Sequence, residues 1–161
     1  MIEQVLVAIE GSAPVAALRQ SIWAYPLVNA GHILGVALLV GGIVPLDLRL
    51  LGAWRAYPVA PFLHVLRATS ALGLGLAIFC GLLLFATAAT DYVHSWWFLS
   101  KMTVVLLGVI NALFIVRVLA NEDIQSLPLC STMPASLRFG ALISLLVWPV
   151  ALVLGRFVGY F

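Results

Sequence analysis

Charge is what this chain has least of. Only 9% of its 161 residues are Asp, Glu, Lys or Arg, and 64% are hydrophobic. Soluble domains carry about a quarter charged residues, so this composition excludes an ordinary soluble fold. The eight Lys and Arg stand singly and the net charge is +2, which excludes a nucleic-acid partner and gives no hold for an acidic one. Cysteine is nearly absent. Cys80 and Cys130 are far apart and form no C-x-x-C pair, so no disulfide framework is expected, and Cys80 reads as a small packing residue in an apolar run. No Gly-rich phosphate loop, nucleophile elbow or zinc-ligand motif occurs, so nothing points to an enzyme. The first residues, MIEQVLVAIEGS, carry two acids and no basic segment, which is not the pattern of a cleaved signal peptide.

What the chain has instead is long apolar runs. A membrane-spanning helix needs about 20 apolar residues. Four runs meet this, at about 22–46, 60–89, 96–119 and 136–158. The expected fold is an all-α bundle of four transmembrane helices forming one domain. Residues of about 2–20 are apolar but broken by Glu3, Glu10, Arg19 and Gly11-Ser12-Ala13-Pro14, and read as a short interfacial helix or two, with Ser12 as a cap. Pro45 is expected to close the first span, and Pro149 to kink the last. Trp23, Tyr25, Trp96 and Trp97 mark a membrane boundary. Four spans put both termini on one side. Arg49, Arg55, Arg67, Arg117 and Arg138 fall on the other, against Arg19, Lys101 and Arg156, so both termini are expected outside the cytoplasm.

Polar residues inside such runs are the candidates for function. His32 lies within the first span. Asn29 and Gly35 share its helical face, and the glycines around it suggest room for a flat ligand. Lys101 lies inside the third span and is closer in depth to His32 than either other histidine. Asn29, His32, Gly35 and Lys101 are therefore the candidate cofactor residues, with haem b, or less readily copper, as the cofactor. His32, His64 and His94 are the candidate metal ligands. By helix rise, His64 and His94 each lie on the order of 15 Å in depth from His32, which does not suit a bis-histidine haem. Cys130 and Met133 are soft ligands at i,i+3 that could hold Cu(I). Asp47, Arg49, Arg67 and Asn111 form a candidate structural polar cluster. Gly73, Ala77 and Gly81 recur every four residues, a stripe that lets another backbone approach closely. The expected partners are the lipid bilayer and either other membrane subunits or further copies of the chain.

The run LRQSIWAYPLVNAGHILG, then GGIVPLDLRLLG, GLLLFATAATDY and WWFLSKM with INALF resembles an uncharacterised family of small bacterial four-helix integral membrane proteins. The likeness covers about residues 15–115, with DLRLLG after a membrane histidine as its most specific part. Its matching positions are Trp23, Pro26, His32, Asp47, Arg49, Gly81, Phe85, Lys101 and Asn111. More distantly the chain is similar to the membrane domain of copper-resistance D proteins and to cytochrome-b-like bundles. The resemblance implies a multi-pass protein of the bacterial inner membrane and carries no activity with it. The most economical expectation is a non-catalytic accessory subunit or oligomeric membrane component. The alternative is a haem- or copper-binding redox protein using His32.

Overall fold

A computed structural model describes residues 1–121 and 132–160. Among these residues the chain is helical throughout. Two short helices, α1 (Ile2–Glu10) and α2 (Ala13–Gln20), precede α3 (Ala24–Leu51) and α4 (Val59–Thr87). The six-residue α5 (Ala89–His94) then leads into α6 (Trp96–Asn121) and α7 (Ala135–Phe157). Helices α3, α4, α6 and α7 are long and apolar enough to cross a membrane. Large apolar side chains such as Ile33, Leu72, Phe79, Leu106 and Leu146 are more than half exposed along them, as contact with lipid requires.

Helix α3 runs past the expected end of the first span near residue 46. Pro45 lies inside α3, which runs on to Leu51. Proline removes one backbone N–H, so it costs the Gly41 carbonyl its partner. The following turn is held by burial of Leu46, Asp47, Arg49 and Leu50. The true stop is Gly52, at φ +113°, where few side-chain-bearing residues fit. The Gly52 and Ala53 N–H groups donate back to the Arg49 and Leu48 carbonyls, closing a Schellman motif. Ser12 stands at the N-cap of α2 with Pro14 in the first turn, as expected, but its hydroxyl makes no cap bond and donates instead to the Ile9 carbonyl at 2.7 Å.

Antiparallel α3 and α4 form the tightest seam. A Cβ built on Gly35 would lie 2.5 Å from the Ala77 nitrogen, and one on Gly73 would meet the Leu39 nitrogen. Gly42 packs in the same way on Ser70 and the Leu66 carbonyl. Residues 35 and 42 on one helix and 73 and 77 on the other thus let two backbones touch, which is how spans associate where lipid is as apolar as the side chains. Helix α6 packs against α7, and α3 joins the two hairpins through α7. Helices α4 and α6 meet through rings rather than backbones, with Phe85 and Phe98 stacked at 5.5 Å.

The far ends of all four spans converge on Leu50, Val59, Ile115, Met133, Leu137 and Ala141, the main apolar core. Both described ends of the chain therefore lie at the opposite face, called here the terminal face. There α1 packs on α5. The Thr90 N–H and hydroxyl both donate to Glu10 Oε1, at 2.6 and 2.7 Å, and the His94 imidazole approaches Glu3 at 4.0 Å. The two bonds from Thr90 hold the Glu10 carboxyl below the ordinary carboxylate range.

Candidate functional site: a buried polar cluster between α3, α6 and α7

Helix α7 turns one stripe inward: Leu137, Gly140, Ala141, Ser144, Trp148 and Ala151. The members at 140, 144 and 148 recur every four residues and present, in order, a bare backbone, a hydroxyl and an indole. Each meets a neighbour chosen for it. Gly140 leaves its carbonyl open to Asn111 of α6, whose Nδ2–H donates to it at 2.9 Å. Ser144 donates its hydroxyl to the Asp47 carboxyl of α3. Trp148 lies on Gly108 of α6, where a Cβ would come within 3.0 Å of the indole ring.

The cluster is deeply buried, with Asp47 at 2% exposure, and Arg49, Ser144 and Trp148 at 3%. Its polar atoms are only partly satisfied. Asp47 Oδ2, Arg49 Nε and Nη1, and Trp148 Nε1 have no hydrogen-bond partner among the described residues. Arg49 spends Nη2 on the Tyr57 carbonyl at 2.8 Å and makes no ion pair with Asp47 within 4 Å. Two residues apart on a helix, the pair point to different sides. Asp47 faces α7 and Arg49 faces the turn before α4. Buried polar groups usually find partners, so the unpaired atoms of Asp47, Arg49 and Trp148 make their surroundings the candidate site.

Of the polar cluster expected from sequence, Asp47, Arg49 and Asn111 are buried, whereas Arg67 is exposed on α4 and takes no part. Ser144 and Trp148 were missed. The readable signal was their spacing from Gly140 on one face of an apolar helix.

His32 lies elsewhere, in the α3–α4 seam toward the terminal face. With α3 reaching Leu51, His32 falls on the order of 8 Å from the helix midpoint. Its Nδ1–H donates to the Ala77 carbonyl at 2.8 Å, which leaves the Nε2 lone pair as acceptor. Lys101, half-buried against Gly155 of α7, is the cation within electrostatic reach of the ring. Gly81 packs on the imidazole, Gly31 on Cys80, and Gly35 on the α4 backbone, so the glycines are filled by the neighbouring helix and leave no cleft beside His32. Asn29 is exposed on α3. His64 and His94 are exposed, and the His94 Nδ1–H is bonded to the Thr90 carbonyl. Among the described residues no three His, Cys, Asp or Glu side chains gather as a metal site. The α3–α4 seam thus supplies one imidazole, with the glycines of its own face closed by α4. Met133 packs in the far-face core, and Cys130 lies outside the described residues.

Neither family models, curated proteins nor solved structures give a match to this chain.

Proposed function

We propose that the protein is a non-catalytic multi-pass membrane component that assembles with a second copy of itself through α3. The observation that carries this reading is a stripe on α3 turned away from its own bundle. Asn29, Ile33, Ala37 and Gly41 are spaced by four and all exposed. A Cβ at Gly41 would meet nothing within 4 Å, and no group among the described residues bonds the Asn29 amide. Ala37 and Gly41, four residues apart, admit a close helix neighbour at one end of the stripe, and the Asn29 amide in an apolar setting favours a polar partner. A two-fold axis along the membrane normal brings each residue of the stripe against its own copy. Asn is suited to that place, because an amide both donates and accepts and so pairs with itself. Counting protomers by stepwise photobleaching in dilute lipid tests the reading. Two copies are expected for the native chain and one for Gly41→Leu. A native monomer, or a dimer that Gly41→Leu leaves intact, refutes it. Co-purification with a different membrane chain in place of a second copy would make the protein an accessory subunit.

The same reading places the chain in a bacterial inner membrane with its terminal face periplasmic, supported by the arginine excess on the far face. Reporter fusions after Arg55 and at the C-terminus test the orientation. A second reading, a metal centre at His32, draws on its available Nε2. An absorbance spectrum with metal analysis tests it, and a colourless, metal-free preparation rejects it.

A further inference from the structure

Asp47 is the buried carboxyl of the described chain; Glu3, Glu10 and Asp91 belong to the short helices at the terminal face. One of its oxygens takes the Ser144 hydroxyl, and Oδ2 has no partner among the described residues. No ammonium, guanidinium or imidazole lies within 4 Å of it among the described residues. The other charged groups are otherwise placed: Arg55 is exposed in the turn against Gly52, and Arg156 of α7 is exposed and donates to the Tyr160 hydroxyl. On its own helix, Arg49 turns to Tyr57. On α7, Ser144 and the Trp148 N–H are the nearest polar groups on the buried stripe, and Arg138 is exposed. His64 and Arg67 on α4 and Arg117 on α6 are exposed, and Lys101 lies toward the other end, at Gly155.

Among the described residues, a carboxylate in this position has no counter-charge within 4 Å and one oxygen unbonded. A single small cation on Oδ2 removes both defects. A divalent ion carries more charge than one carboxylate balances, and no second carboxylate gathers here among the described residues. Asp47 is four residues from the end of α3, on the order of 6 Å along the axis, so the far face is the near source of water and ions. We propose that Asp47, held in place by Ser144, is a binding site for one monovalent cation, a proton or Na⁺, exchanging with the far face. This site is independent of how copies of the chain assemble.

Dicyclohexylcarbodiimide tests it, because this apolar reagent reacts with a carboxyl that carries its proton. The O–H adds across one C=N bond, and the adduct rearranges to a stable N-acylurea that mass spectrometry can locate. The full chain in nanodiscs is labelled from mildly acid to mildly alkaline pH, with and without Na⁺. Labelling is expected at Asp47, rising as pH falls, and lost in Asp47→Asn. Protection by Na⁺ at fixed pH assigns the site to sodium, and indifference to Na⁺ assigns it to the proton. Ser144→Ala is expected to shift the pH of half-labelling; an unchanged pH removes Ser144 from the site. Should the reagent fail to reach Asp47, difference infrared spectra report the carboxyl directly. A carboxyl band that responds to pH or Na⁺, and is missing in Asp47→Asn, supports the proposal. No labelling together with no such band overturns it.

Discussion

Replacing Gly35 by alanine should weaken the bundle far more than its size suggests. The added Cβ would sit 2.5 Å from the Ala77 nitrogen and 2.9 Å from both the Ala77 Cα and the Gly73 carbonyl oxygen. All three are backbone atoms of a helix, so no side chain can swing aside. Relief needs α3 and α4 to move apart by roughly 1 Å, the shortfall from ordinary contact near 3.5 Å. That loosens Gly73 against Leu39 and lengthens the His32–Ala77 bond on the same seam. Overpacking of this kind costs about 1–3 kcal/mol. Alanine's better helix propensity returns up to about 1 kcal/mol. Gly75 is the control, because a Cβ there meets nothing within 4 Å, so Gly75→Ala keeps the propensity gain alone. The two variants should differ by about 1–3 kcal/mol, with Gly35→Ala the weaker. Reversible unfolding in mixed micelles, followed by tryptophan fluorescence, measures the difference. Equal stability of the two variants would refute the backbone-contact account of the seam.

Other consequences are as direct. Asn111→Leu leaves the Gly140 carbonyl without its donor inside the bundle and should cost about 1–3 kcal/mol in the same assay, whereas an unchanged midpoint contradicts the bond. The contact of Glu10 with α5 should be sensitive to acid. Its carboxyl is held below 4.5 in the folded chain, so the stabilisation is present above that pH and is lost as pH falls through the lowered value. Protection of the Thr90 amide, taken relative to its intrinsic exchange rate, should fall in acid, and Glu10→Gln should abolish that fall; a fall that persists in the variant assigns it to another group. His32→Ala removes the Nδ1–H bond to Ala77 and should lower stability, while His32→Gln should recover part of the loss. Equal losses in both variants would show that the bond contributes nothing.

Much of this fold could be read from the chain because lipid allows so few alternatives. Four apolar runs must become helices, since a bilayer leaves no other partner for their backbone groups. The seam was legible in part, because Gly73 and Ala77 announce a close approach without naming the face opposite, Gly35 and Gly42. Pro45 misled because one missing N–H is a small loss in a helix whose next turn is buried. The candidate site was legible only in fragments. Asp47 and Asn111 stand out as polar in apolar runs. Ser144 and Trp148 do not, since a hydroxyl and an indole are ordinary in a membrane helix. Only the packing of α3 and α6 on either side of α7 brings the four together. The space beside His32 could not be judged, because glycine spacing reads the same whether a ligand or another helix fills it.

Assembly through α3 is tested most directly by cross-linking between copies. In a chain carrying Cys80→Ala and Cys130→Ser, single cysteines are placed at Asn29, Ile33, Ala37 and Gly41, and at Leu39 and Leu46 for comparison. The first four lie on the exposed stripe, and the last two are buried in the bundle. Mild oxidation in native lipid should give dimers at the four stripe positions and none at the two buried positions. Cross-links spread evenly around α3, or none at the stripe, would contradict the account.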